Sequence, residues 1–245
     1  MQPMSKSEYE LMHRTENYNW WYSSKRDLVL GLAKKFAKGG SVLDVGCGTG
    51  RNLLEFSNSG FSVMGIDNSP HAISYSKKIL GKNVVFGDIT KKGFRSFNCA
   101  ICLDVLEHIR DPKPAVRNIH ASLREGGHAI ISVPAHQFLF SEHDKVLGHY
   151  RRYSIGGLRE LIEGSGLKVE QISYWNATLF PLIALVRIFK KRRSGGARIN
   201  HTTELKPLPK PLNSLFKLIM LAENRLVVAG LGLPFGLSIV CVAKK

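Results

Sequence analysis

Between residues 41 and 133, short apolar runs alternate with longer amphipathic stretches, and this alternation restricts the fold more than any other feature of the chain. Strands are predicted at Ser41–Val45, Ser62–Ile66, Val84–Phe86, Cys99–Leu103 and His128–Val133. Helices are predicted between them at Asn52–Ser59, His71–Leu80 and Pro114–Leu123. Ser69-Pro70 supplies an N-cap and a first helical residue, and Gly60 and Gly126-Gly127 are stop signals. Strands joined by helices of this length require a parallel sheet covered by helices on both faces, an α/β doubly wound fold. Further on, Ser154–Glu163 reads as a helix, Leu167–Tyr174 as a strand and Leu237–Ala243 as the last strand. The stretch between these two strands, about sixty residues, exceeds what a plain doubly wound domain needs. The expected organisation is therefore an N-terminal helical lid over residues 1–38, a main domain over 39–175 and 233–245, and a helical insertion over 176–232.

The 245 residues suffice to bury a substantial core, and 44% hydrophobic with 22% charged content is that of a folded protein. Cys99 and Cys102 form a C-x-x-C pair inside an apolar run, and no second pair completes a zinc site, so they read as buried thiols. Met1 to Tyr22 is polar and aromatic, without the apolar centre of a signal peptide, and the expectation is a cytoplasmic protein. The net charge of +16 fits nucleic acid, an anionic membrane surface or an acidic substrate, and does not choose among them.

The first strand runs into Asp44-Val45-Gly46-Cys47-Gly48-Thr49-Gly50. Glycines at 46, 48 and 50 allow a sharp strand-to-helix turn and let a ligand approach the main chain. The spacing G-x-G-x-G departs from the dinucleotide fingerprint G-x-G-x-x-G, and Asp44 precedes it. A carboxylate there repels a pyrophosphate and favours a cationic ligand such as an ammonium or sulfonium. Asp67, after the second strand, suits two ribose hydroxyls, and Asp88, after the third, suits an adenine amino group. Three carboxylates at the ends of successive strands point at one crevice.

Val42 to Gly50 resembles the first motif of class I S-adenosylmethionine-dependent methyltransferases, with Gly65-Ile66-Asp67 and Gly87-Asp88 similar to the next two. Leu103-Asp104-Val105-Leu106-Glu107-His108 is similar to the segment after strand 4 in the small-molecule branch, which includes the ubiquinone-biosynthesis methyltransferases. The resemblance spans residues 40 to 135. It implies a Rossmann-like sheet of seven strands with an antiparallel last strand. It also implies S-adenosyl-L-methionine as cofactor, held by Asp44, Gly46, Cys47, Gly48, Gly50, Asp67, Asn68, Asp88, Ile89 and Leu103.

Methyl transfer from a sulfonium needs a base only when the acceptor has a proton to lose. Asp104, Glu107 and His108 would share a face if helical; they suit either a divalent metal or a solvated helix face, and the reading assigns no metal. His108 is one expected base. After the fifth strand, residues 140–154 are dense in titratable and aromatic groups. There His143 and His149 are further expected bases, Arg151 and Arg152 can clamp an anion, and Tyr150 can line a ring. A similar H-D-x-x-x-G-H-Y-R-R-Y stretch occurs in bacterial and archaeal methyltransferases of unassigned substrate, many of them linked to surface-glycan or lipid pathways. At the N-terminus, Tyr18, Trp20, Trp21 and Tyr22 precede a helix near Lys25–Phe36, with Tyr22 expected at the substrate.

Within the insertion, the apolar stretch Leu179–Phe189 precedes Lys190-Lys191-Arg192-Arg193, which suggests peripheral contact of residues 179–193 with the inner face of an anionic membrane. The expected function is methylation of a small-molecule, lipid or glycan-precursor acceptor, at oxygen. An RNA methyltransferase is the alternative the charge favours, although no N-P-P-Y-like tetrapeptide follows strand 4. A non-catalytic cofactor-binding or membrane-associated scaffold is a reading of another class, and the intact carboxylates argue against it.

Overall fold

A computed structural model describes residues 6–183 and 208–245. The basic run Lys190–Arg193 and most of Leu179–Phe189 lie outside the described residues. Seven strands form one sheet: β1 (Ser41–Val45), β2 (Ser62–Asp67), β3 (Val84–Phe86), β4 (Phe97–Leu103), β5 (Leu123–Pro134), β6 (Lys168–Trp175) and β7 (Ser238–Lys244). Their order is β3-β2-β1-β4-β5-β7-β6. The first five are parallel, and β7 runs antiparallel between β5 and β6. The chain winds outward from β1 to β3, then returns to place β4 on the other side of β1. The crevice at this reversal, above the strands' C-terminal ends, is where open α/β sheets bind ligands.

The helices are α1 (Lys6–Thr15), α2 (Trp20–Phe36), α3 (Arg51–Asn58), α4 (Pro70–Leu80), α5 (Lys113–Ser122), α6 (Glu142–Val146), α7 (Ile155–Glu163) and α8 (Lys210–Ala229). Ser69 caps α4 as expected, its hydroxyl accepting from the Ala72 amide, with Pro70 at the first helical position. Alternation along the strands sends residues to two cores. Leu43, Val45, Ala100, Cys102, Ile131 and Cys241 pack under α5 and α7. Val42, Cys99, Ile101, Ile130 and Val242 pack under α2, α3 and α8. All four cysteines are free and buried, so the C-x-x-C pair belongs to the sheet.

Two expectations need correction. The N-terminal helix begins at Trp20, not near Lys25, because the Asn19 side chain accepts from the Trp21 amide and caps it there. Trp20, Trp21 and Tyr22 are thus helical, and they face the sheet's C-terminal end from the first turn of α2. Residues 104–108 form no regular helix: only a short turn covers Leu106–His108, and Asp104 is left-handed at φ 54°. Asp104 therefore shares no helical face with Glu107 and His108.

The inserted α8 packs along α2 and the edge of β6. The carboxylate of Glu223, buried in α8, accepts from the amides of Asn176, Ala177 and Thr178 and from the Thr178 hydroxyl, at 2.6–3.1 Å. Asn224 accepts from the Trp175 indole and donates to the Ser24 carbonyl and the Asp27 carboxylate. These bonds fix the start of the insertion to its return helix.

Candidate active site

The glycine loop follows the sheet's switch point. Gly46 and Cys47 donate to the Ile66 carbonyl, so the loop folds back on β2. Gly46 takes a left-handed φ of 74°, and a Cβ there would lie 2.5 Å from Val105. Only glycine fits. Gly50 (φ 87°) caps α3 and packs against Ser76, so it shapes the turn rather than the ligand space.

Asp44 lies beneath this loop, 1% exposed, and neither carboxylate oxygen has a hydrogen-bond partner. Burial, reinforced by Asp67, pushes its carboxyl up to about 8. Asp67 is also pushed upward by burial, against which it accepts from the amides of Gly48 and Ser69 at 2.9 and 2.8 Å. Asp67 lines both hollows beside the loop, whereas Asp44 sits behind the loop and lines neither; a buried carboxylate without a partner at this place favours a cationic ligand nearby. Asp67, Asn68, Asp88, Ile89 and Val105 line a narrow adjoining crevice, in which the Asn68 carbonyl oxygen is buried and unpartnered. Asp88 also accepts from the amide and hydroxyl of Thr90, so it is a turn cap as well as a crevice wall. An adenosine with a cationic tail fits these donors and acceptors.

Gly46, Cys47, Gly48, Asp67 and Leu103 open into a larger cavity of about 670 Å³. Its other walls come from α1, α2, the turns after β4 and β5, and the two ends of the insertion. Its lining includes a polar set, Asp104, Glu107, His108, Asp144, His149 and Arg152, and an apolar set, Trp20, Trp21, Leu182, Ile183, Leu212 and Phe216, of which Leu182 and Leu212 are exposed at the rim. Asp104, His136 and Asn176, each just beyond a strand end, all have φ between 54° and 64°. Such strained residues gather where a sheet's end is shaped for a site.

On the polar wall, Asp144 is fully buried between a guanidinium and an imidazole. It holds Arg152 Nη2 at 2.7 Å and His149 Nδ1 at 3.1 Å. Those partners, with the Ser141 amide, hold its carboxyl well below the usual range although burial opposes them. With Nδ1 committed to Asp144, the Nε2 of His149 is the atom left to accept. The His108 ring stands edge-on to His149, with centroids 4.6 Å apart. Burial, with His149 adding to it, lowers His108 to about 4, so its imidazole is neutral at physiological pH. Glu107 is fully buried, and neither oxygen has a partner beyond its own amide; burial and Asp104 drive its carboxyl up. Donor atoms of Glu107, His108 and His149 lie within 4.8 Å of one another, close enough to hold a divalent cation.

All three expected histidines line the cavity, as do Tyr22 and Arg152. Arg152 is committed to Asp144 and to the Ala135 carbonyl, which gives it a structural task. Tyr150 and Arg151 are not among the lining residues; Arg151 donates to the Arg110 carbonyl. Sequence reasoning missed Lys25, Glu16 and Arg26. The Lys25 ammonium pairs with Asp104 and sits 4.6 and 5.2 Å from the ring centres of Trp21 and Trp175. Glu16 accepts from the Thr49 hydroxyl at 2.6 Å, joining the α1–α2 turn to the glycine loop, and Arg26 donates to the Glu16 carbonyl. Helical phase predicts none of these pairings, because the partners are 33 and 79 residues apart in the glycine loop and after β4.

A family model described as a methyltransferase domain matches residues 17–172. Ubiquinone biosynthesis O-methyltransferases from Pseudomonas fluorescens Pf-5 and Pseudomonas paraeruginosa PA7 are 31% and 33% identical over 136 residues, covering 51% of this chain and 54% of theirs. The chain thus matches about half the length of these relatives. Among solved structures, a SAM-dependent methyltransferase from Archaeoglobus fulgidus is 18% identical, with a TM-score of 0.55 over 90% of this chain and 94% of its own. One from Thermotoga maritima, titled a possible histamine N-methyltransferase, is 17% identical with a TM-score of 0.58 over 98% and 95%. At such identities these structures share the fold.

Proposed function

Because the chain belongs to the S-adenosylmethionine-dependent methyltransferases, whose domain it carries over residues 17–172, we propose that it methylates an oxygen of a small-molecule, lipid or glycan-precursor acceptor that has an apolar portion. The cofactor supplies a methyl group already activated on a sulfonium. Asp44, Asp67 and the glycine loop would hold its cationic and ribose parts, and Asn68, Asp88 and Ile89 its base. What this chain adds is orientation of the acceptor and removal of its proton.

The Asp144–His149–His108 constellation carries this reading. Asp144 fixes the tautomer of His149, leaving Nε2 to take the proton from an acceptor hydroxyl as that oxygen becomes the nucleophile. The neutral His108 beside it lines the same wall and leaves the proton to His149. His143 on the same wall is a further acceptor. The cavity's lining supports an acceptor with a polar head and an apolar remainder: Glu107, His108 and Asp144 are buried in it, and Leu182 and Leu212 are exposed at its rim. The relatives' name, O-methyltransferase in ubiquinone biosynthesis, favours oxygen over nitrogen.

Glu107 favours a second reading of the same step. Its unpartnered buried carboxylate, with His108 and His149, would bind a divalent cation that makes the acceptor hydroxyl more acidic. Chelation distinguishes the two: a lost and metal-restored rate selects the cation, and an unchanged rate selects the histidine base.

Transfer of labelled methyl from the cofactor to fractionated cell extract tests the proposal. Label is expected in the lipid or small-molecule fraction, reduced about 10²- to 10⁴-fold by His149→Ala. Label in RNA or protein would refute it.

A further inference from the structure

The outside of the cavity's apolar end is itself apolar. Leu182 and Leu212 line the cavity and remain 53% and 37% exposed at its rim. One and two turns along α8 from Leu212, Leu215 and Leu218 stand 51% and 66% exposed. Beside the rim, Phe180 joins two exposed rings: it lies 5.7 Å from Phe235 and contacts His136, whose ring is tilted against Phe138 at 5.3 Å. A surface helix ordinarily presents polar residues to water. Here α8 buries Met220, Glu223, Asn224 and Val227 inward and shows leucine outward. In the described segments 176–183 and 208–222, the charged residues are Lys210 and Lys217, both exposed, and neither segment contains an acid.

We infer that this rim and the outer face of α8 seat on an anionic lipid bilayer, so that the cavity opens toward the acyl layer. The inference rests on the proposed acceptor having an apolar portion, and it names where that acceptor enters. Two observations select a bilayer. The exposed leucines are continuous with the cavity's own apolar wall, as an entry route from lipid requires. The charges among them are basic only, and the whole chain carries +16, complementary to anionic headgroups. No helix among the described residues is long and apolar enough to cross a membrane.

The test is co-sedimentation of the full chain with vesicles of phosphatidylcholine alone or mixed with phosphatidylglycerol. Binding is expected to the mixed vesicles and to weaken as salt is raised. The double variant Leu215→Ser/Leu218→Ser should lower partition at least about tenfold, and Lys217→Glu should lower it about fivefold or more. These residues do not line the cavity, so both variants should bind S-adenosylhomocysteine in calorimetry as the parent does, which reports an intact fold. Equal binding to both vesicle types, or binding unchanged by the leucine substitutions, overturns the inference. So does self-association in sedimentation velocity that the leucine variant abolishes, because a second copy would then cover the face. Vesicle binding is read without methyl transfer, so its failure and a failure of the oxygen-transfer reading are separate results.

Discussion

Single residues in this site act mainly through burial. Asp144 has no exposure and neutralises Arg152 while orienting His149. Asp144→Asn leaves the guanidinium buried without its counter-charge, at a cost of about 3–5 kcal/mol. The carboxyl is depressed in the folded state, so its stabilisation is present above the ordinary carboxylate pKa of about 4 and is lost as pH falls below it. The parent should therefore lose stability on acidification more steeply than Asp144→Asn does, measured by denaturant unfolding at a series of acid pH values. Equal slopes would show that the pair does not couple to folding. Gly46 acts through space and backbone together. Gly46→Ala places a methyl 2.5 Å from Val105 at a φ of 74°, with strain of about 1–3 kcal/mol. Its melting temperature and its cofactor affinity should both fall.

At the level of elements, the N-terminal helices and the insertion are tied to the sheet by a few buried polar side chains. Glu223 binds three amides and a hydroxyl at the end of β6. Hydrogen bonds to a charged group contribute about 1.5–3 kcal/mol each at most. Glu223→Ala should speed amide exchange at residues 176–178 and along α8 while exchange in β1 and β4 holds, as expected if the insertion opens by itself. Uniform acceleration across the sheet would mean the insertion is not a separate unit of stability. This is also the scale at which the sequence was most readable. Apolar alternation located every strand because β1, β4, β5 and β7 are buried on both faces and leave uninterrupted apolar runs. The start of α2 was missed because Trp20 to Tyr22 are poor helix formers, and the capping Asn19 was the overlooked signal. The short α6 was missed because five residues carry no periodicity.

Across the whole molecule, the cofactor half of the site was legible and the acceptor half was not. The cofactor groups come from contiguous motifs at strand ends, so chain order alone brings Asp44, Asp67 and Asp88 to one edge. The acceptor wall joins residues from five separate stretches: Lys25 to Asp104, Glu16 to Thr49, His108 to His149. Packing of α1 and α2 over the sheet creates the first two pairs, and the loop after β5 folding onto the turn after β4 creates the third. Asp44 lies buried and unpartnered behind the glycine loop, where its carboxylate would face a cationic nucleoside. In the ligand-free protein its carboxyl is raised to about 8. The folded state therefore holds a proton that the unfolded state has lost, and ligand-free stability should fall as pH rises from about 4 toward 8. A cationic ligand favours the ionised form and expels that proton. Calorimetric titration with S-adenosylmethionine, in buffers of different ionisation enthalpy, measures this directly. Affinity should increase as pH is raised toward 8, with release of up to about one proton per site near neutrality, and Asp44→Asn should abolish both effects. Binding that is independent of pH and releases no proton, or no binding at all, would contradict the account.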